Sequence, residues 1–235
     1  MFLDVAIRKA LHAGARTFHL DARLRSGARR VAVIGPSGGG KSLMLMTMAG
    51  LINPDAGHVC VDGVCFFHGH QGINLPPWQR RTGFLFQDYA LFPHLNVSQN
   101  IAFGLSRWRN PSARARTKVV DYWLDALDIG ELKEHYPHEL SGGQRQRVAL
   151  ARTLVVEPRI LLLDEPFAAV DVLLRQRMRE ELDRLQKRLA VPMIIVTHDP
   201  LDVEILADEV FYLSDGSVLG SGNNWGEIQS AVLRG

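Results

Sequence analysis

Cysteine is scarce in this sequence: Cys60 and Cys65 are the only two among 235 residues. Two thiols are too few for a disulfide framework or a four-ligand zinc site, and they are expected to be buried and reduced. Long apolar runs are missing as well, and none approaches the ~20 residues that a membrane span requires. The first eleven residues carry Asp4, Arg8 and Lys9 between their apolar positions, which is not the pattern of a signal peptide. A protein that stays in the cytoplasm is expected. An excess of charge of either sign is lacking too. Against 25 acidic residues stand 27 lysines and arginines, a formal balance of +2, too small to argue for nucleic acid or an anionic membrane surface. Arg107, Arg109, Arg114 and Arg116 cluster around Trp108, but no aromatic stacking series accompanies them. A solvated face is expected there, and no nucleic-acid partner. His68 and His70 stand two apart in a glycine-rich loop without an acidic or cysteine partner, and His94, His135 and His138 add no ligand pattern. No internal repeat is present. What remains is an ordinary globular composition, 46% hydrophobic and 22% charged. The length suits one large domain or two small ones with a sizeable core.

What the sequence does contain is Gly35-Pro36-Ser37-Gly38-Gly39-Gly40-Lys41-Ser42, set between the apolar run Val31-Ala32-Val33-Ile34 and a helix-forming run from Leu43 to Ala49. Strand, glycine-rich turn and helix in that order fit the phosphate-loop pattern G-x-x-x-x-G-K-[ST]. Glycines let backbone N–H groups close around phosphate oxygens with no Cβ in the way. The helix points its positive end at the same anion. Lys41 supplies a mobile cation for the β- and γ-phosphates, and Ser42 a hydroxyl for Mg²⁺. An ordinary glycine-rich turn is the alternative, and Lys-Ser behind an apolar strand argues against it. The chain is expected to bind a nucleoside triphosphate.

Around this loop, residues 2–7 and 17–24 read as short strands, the second with Phe18, Leu20, Ala22 and Leu24 alternating with polar residues. A helix over 42–50 ends at Gly50 before the Asn53-Pro54 turn. Met44 and Met48 lie four apart on it and are expected in the core. Asp62-Gly63 between two β-rich runs predicts a tight hairpin. Pro76 to Gly83 is basic and turn-rich and leads into a short buried strand that ends on Gln87. Side chains at that end of a strand in an α/β sheet tend to meet ligands, although Gln87 taken alone reads as a surface amide. Residues 97–157 turn helical, with Val119, Val120, Trp123, Leu124 and Leu127 at helical spacing after a break at Asn110-Pro111-Ser112. This predicts an α-helical insertion between two halves of a nucleotide-binding sheet.

Leu140-Ser141-Gly142-Gly143-Gln144 then opens a helix. A Ser-Gly-Gly turn at a helix N-terminus is a second anion site, or equally a plain N-cap with glycines. Ile160-Leu161-Leu162-Leu163 is a continuous apolar run, as suits a central parallel strand, and it ends in Asp164-Glu165-Pro166. Asp164 can hold Mg²⁺ directly or through water. Glu165 beside it can polarise the attacking water. Asp171 starts a further helix with Leu174, Met178, Leu182, Leu185 and Leu189 as its apolar stripe, its other face being dense in Arg and Glu. Met193 to Thr197 is another buried strand. It ends at His198-Asp199 on the same sheet as Asp164, which makes His198 a candidate γ-phosphate contact.

Taken together, these segments resemble an ATP-binding cassette (ABC) ATPase of a transporter over nearly the whole chain. The most specific element is Leu140–Gln144 placed ahead of the Asp164-Glu165 strand. The resemblance implies an α/β fold: a RecA-like phosphate-loop core over 1–87 and 158–235, with an antiparallel β part at the N-terminus. An α-helical subdomain carrying the signature motif is inserted at 88–157. It implies that Gln87 is the Q-loop glutamine, near both the metal and the chemistry, that Asp171 is the D-loop aspartate, and that His198 is the switch histidine. Family members pair, so a homodimer is implied, with ATP and Mg²⁺ held between the phosphate loop of one chain and Ser141, Gly142, Gly143 and Gln144 of the other. Ala168-Ala169-Val170 stands where Ser-Ala-Leu is usual. The aromatic on the adenine is open between His12, near the expected place, and Phe18, which has the parity of a core residue. Leu75–Gly83 and Phe86–His94 are similar to bacterial import cassettes for molybdate, sulfate and related solutes, and the short spacing from Asp4 to the phosphate loop looks most like the molybdate branch. Such a subunit would sit on the cytoplasmic side of the inner membrane. It would touch a permease through residues 87–95, where Tyr89, Leu91 and Phe92 are expected to be exposed, and would serve a periplasmic solute-binding protein indirectly. The C-terminal regulatory β-domain of many such importers is not expected in this chain.

Overall fold

A computed structural model describes residues 1–14, 16–105, 113–168, 170 and 172–232. The expectations for Asp171, Ala169, the stretch 106–112 and the Arg114 side chain fall outside the described residues. The described strands form one sheet in the order β6-β5-β4-β1-β2-β11-β10-β3-β9-β8-β7. It has two textures. One is antiparallel: β1 (Leu3–Ala13), β2 (Arg16–Ser26), β4 (Ala56–Val61), β5 (Val64–His68) and β6 (Ile73–Asn74). The other is parallel: β3 (Arg30–Ile34), β7 (Thr82–Leu85), β8 (Ile160–Asp164), β9 (Met193–Val196) and β10 (Glu209–Ser214). The strand β11 (Ser217–Gly222) returns antiparallel to β10 and meets β2 at Ser217 and Asp21, which joins the two parts.

The apolar strands in the parallel part are covered on both faces. Val31, Val33, Ile160, Leu162, Ile194 and Val196 point into a core shared with α1 (Lys41–Ala49), including Met44 and Met48, and with the antiparallel strands. Their neighbours Ala32, Ile34, Leu161, Leu163, Met193 and Ile195 point into a second core. That core is completed by helices between β7 and β8 and by α6: α3 (Val97–Ala102), α4 (Ala113–Ala126), α5 (Gly142–Leu154) and α6 (Val172–Leu189). The short helices α2 (Pro77–Arg80), α7 (Pro200–Leu206) and α8 (Trp225–Val232) complete the chain. None of the helices among the described residues is long and apolar enough to cross a membrane.

Three expectations need correction. Strand β1 does not stop at residue 7 but pairs with β2 as far as Ala13 and Arg16. Cross-strand pairing extends it through residues that show no alternation of their own. The two cysteines are not reduced thiols: Cys60 and Cys65 form a disulfide. Asp62 and Gly63 both take positive φ, 50° and 74°, the geometry of a two-residue hairpin turn. A register shift between Val59 and Cys60 then sets Cys60 opposite Cys65. Lastly, Tyr89 is not an exposed loop residue but is 3% exposed and part of the second core. Leu91 and Phe92 are half-buried.

Candidate active site

The phosphate loop runs from the end of β3 to the start of α1. Gly35 has φ 149°, and a Cβ there would lie 1.8 Å from the Leu213 carbonyl oxygen. Only glycine lets β3 pass so close to β10 and still turn. Gly40, the residue before α1, has φ 102°, and a Cβ on it would press on the Phe18 ring at 3.0 Å. The Lys41 ammonium folds back over its own loop and donates to the carbonyls of Gly35 and Pro36, each at 2.9 Å. Burial pushes its pKa down, and the charges of Glu165 and Asp164 oppose that. The ammonium is thus parked on neutral oxygens, where an anionic oxygen would be a stronger acceptor.

Ser42 donates from Oγ to Asp164 Oδ1 at 2.9 Å, which joins the start of α1 to the end of β8. Burial pushes the Asp164 carboxyl up, with the Ser42 hydrogen bond pulling the other way. Glu165 follows in a left-handed conformation, φ 45°, which a non-glycine residue holds at some cost in strain. Its backbone N–H donates to Val196 O at 2.9 Å. Its Oε2 lies 3.0 Å from His198 Nδ1 at the end of β9. Gln87 lies just beyond the end of β7 and lines one cleft with Phe86, Asp88, Asp164 and Ala168. The ends of four parallel strands therefore bring together the loop, Ser42, Asp164, Glu165, Gln87 and His198.

Ser141 to Gln144 stand apart. No hydrogen bond among the described residues joins them to the phosphate loop or to Asp164 and Glu165. Instead they close on themselves as a capping box at the start of α5. Ser141 Oγ accepts from Gln144 N at 3.3 Å, and Gln144 Oε1 accepts from Ser141 N at 2.8 Å. Gly143 packs on α6 so tightly that a Cβ would meet Leu174 at 2.8 Å. His12 is exposed near the end of the β1–β2 hairpin, its Nδ1 3.0 Å from Thr17 Oγ1. Phe18 is half-buried beneath Gly40.

Two arginines around the site escaped the sequence reading. Arg152 on α5 donates to the carbonyls of Ala90 and Tyr89 at 2.7 and 2.8 Å and so holds the segment after Gln87. Arg179 on α6 is buried behind His198. No local pattern set it apart, since Arg177 and Arg184 stand equally close in sequence to the apolar stripe and are exposed.

A glycine loop at a strand–helix junction, with its hydroxyl paired to a strand-end carboxylate and a glutamate in contact with a histidine beside it, is the site of a phosphate-loop ATPase. The chain belongs to the ABC transporter family, whose model matches residues 19–168. It is 42% identical over 222 residues to the molybdate/tungstate import ATP-binding protein WtpC of Archaeoglobus fulgidus, covering 94% of this chain and 87% of that protein. It is 44% identical over 221 residues to the molybdenum import ATP-binding protein ModC of Albidiferax ferrireducens, covering 94% of this chain and 58% of that one. With the sulfate/thiosulfate import ATP-binding protein CysA of Yersinia pseudotuberculosis it shares 46% over 191 residues, 80% of this chain and 51% of the relative. Among solved structures, the ATP-binding cassette MJ0796, a dimer in a post-hydrolysis state with ADP and Pi, superposes with a TM-score of 0.81 at 29% identity. The match covers 95% of this chain and 98% of MJ0796.

Proposed function

We propose that this chain is the ATP-hydrolysing subunit of an importer for an oxyanion, molybdate or tungstate first and sulfate next. The observation that carries the chemistry is the pair of contacts Ser42–Asp164 and Glu165–His198, which set a metal-side group and a base-side group at adjacent residues. A hydroxyl, a carboxylate and the Gln87 amide around one cleft form a set of hard oxygen donors suited to Mg²⁺. Mg²⁺ bound there neutralises charge on the β- and γ-phosphates.

The residues of the chain supply the remaining steps. The loop amides and the N-terminus of α1 bind the phosphates. Lys41 leaves the carbonyls of Gly35 and Pro36 for a phosphate oxygen. Glu165 accepts a proton from the attacking water, and His198 holds that carboxylate in place. His12, exposed near the hairpin end, stacks on the adenine, since Phe18 is engaged under Gly40. Ser141, Gly142, Gly143 and Gln144 have no role in their own chain's cleft and serve ATP bound to a second copy. The dimeric state of MJ0796 supports that reading. Asp171 contributes from the same interface.

Residues 88–157 act as the unit that meets the permease. A groove between β7 and α5, lined by Phe84, Phe86, Phe92 and Phe103 with Arg152 at its edge, takes a cytoplasmic segment of that membrane partner. Solute delivery by a periplasmic binding protein and a place on the cytoplasmic face of the inner membrane follow from the same reading. The solute assignment rests on the identity with the molybdate/tungstate protein across 94% of this chain. Deleting the gene should lower cellular molybdenum at limiting external molybdate, with excess molybdate restoring molybdoenzyme activity. Normal molybdenum together with a growth defect on another solute would move the assignment to that solute.

A further inference from the structure

Behind His198 stands a buried cluster of charge that, among the described residues, makes no hydrogen bond to the phosphate loop. Arg179 on α6 and Asp202 on α7 are each 3% exposed, and Thr197 is 2% exposed. Arg179 donates through Nε to Asp202 Oδ1 and through Nη2 to Asp199 Oδ2. Thr197 donates from Oγ1 to the other oxygen of Asp202 and accepts from the Asp199 backbone N–H at 3.0 Å. Asp199 also caps α7, its Oδ1 accepting from Leu201 N at 3.0 Å. The residues on either side of His198 are therefore fixed, while the histidine side chain is 62% exposed and reaches Glu165 at 3.0 Å. An exposed contact of that kind holds little by itself. Its geometry has to come from the backbone beneath it.

The same helix face also reaches the segment after Glu165. Arg175, one turn before Arg179, donates to Val170 O at 2.9 Å and comes within 3.6 Å of Asp199 Oδ2. The Arg179 guanidinium lies over the Phe167 ring, 5.9 Å from its centroid. Burying charge of this kind is costly, and packed apolar side chains would often be no less stable. A planar guanidinium can serve two carboxylates at once, and a lysine ammonium in that place cannot do so with the same geometry.

We infer that Arg179 is a positioning residue for ATP hydrolysis: by bridging Asp199 and Asp202 it fixes the turn that carries His198, so that the imidazole meets Glu165. The inference rests on the reading of His198 as part of the active site. Arg179→Lys is the direct test. With MgATP, kcat should fall roughly tenfold to hundredfold, as for a misplaced catalytic group. The Kd for ATP should stay within about twofold, because the phosphate loop is untouched. The ring-nitrogen NMR signal of His198, assigned by its loss in His198→Ala, should lose the shift of a hydrogen-bonded nitrogen. Thr197→Val, which keeps the arginine and both aspartates, should change the same quantities in the same direction. It carries the test if Arg179→Lys shows no folded thermal transition. Unchanged kcat, a fall in kcat with the His198 signal unmoved, or a Kd that rises in step with the loss would each overturn the inference. Full turnover by His198→Ala would instead overturn the role of His198 itself.

Discussion

Glu165 holds φ 45°, and Asp164 before it is a carboxylate that burial pushes toward protonation. Neither arrangement favours stability, and both stand at the strand ends where the proposed function puts ATP hydrolysis, as expected where strain and desolvation serve chemistry. Glu165→Gln keeps the size and removes the proton acceptor. It should bind MgATP normally and lose turnover by roughly 10²–10⁴-fold, the range for a positioned acid–base group; near-normal turnover measured by phosphate release would remove Glu165 from that role. Lys41→Ala leaves the backbone cradle and takes away its cation. Hydrogen bonds to charged groups are worth about 1.5–3 kcal/mol, so ATP affinity should weaken roughly 10- to 100-fold, and an unchanged Kd in a nucleotide titration would mean that the loop is not the site. At this scale the sequence was most legible where a residue's task is fixed by local spacing, as for Lys41, Ser42, Asp164 and Glu165. Arg179 was not legible, because its partners Asp199 and Asp202 arrive from another helix.

At the scale of elements, α1 is held from both ends. Its start is tied to β8 through Ser42 and Asp164. Its last turn is capped by Arg80, fully buried on α2, which donates to the carbonyls of Thr47 and Met48 at 2.9 Å each. Arg80 also donates to Leu75 O at 2.8 Å and to Asn74 Oδ1 at 3.1 Å. All four acceptors are uncharged, and burial pushes the guanidinium down to about 10. Its cation sits at the negative end of the helix dipole, where it is favoured. Arg80→Met should cost about 1–3 kcal/mol through the carbonyls left without a donor. Tm should fall by roughly 2–4 °C for each kcal/mol in a chain of this size; an unaltered melting curve would show that the cap contributes nothing. The continuous apolar runs of β3, β8 and β9 were readable because two covered faces need no polar alternation. The far half of β1 was not, since its strand character comes from β2. The basic stretch before β7 read as a turn, and nothing in it shows that one of its arginines reaches back into the core.

On the scale of the whole molecule, α5 opens on its capped N-terminus, with Ser141 exposed and, among the described residues, no hydrogen bond from it to the cleft that its own chain builds. Gly143 and Arg147 fasten that helix to α6, the latter through Glu181 at 2.8 Å. In the proposed function, two incomplete anion sites on one chain would make two complete sites when two chains pair in a closed, two-fold arrangement. The proposed pairing places ATP hydrolysis between chains. It is tested most directly by mixing a Lys41→Ala chain with a Ser141→Arg chain and measuring ATP turnover under conditions where mixed dimers form. Each variant alone should be inactive. The mixture should recover roughly a quarter of the wild-type rate, because random pairing makes half of the dimers mixed and each of those carries one intact site and one doubly defective site. A mixture that stays as inactive as either parent, with mixed dimers demonstrably present, would contradict it.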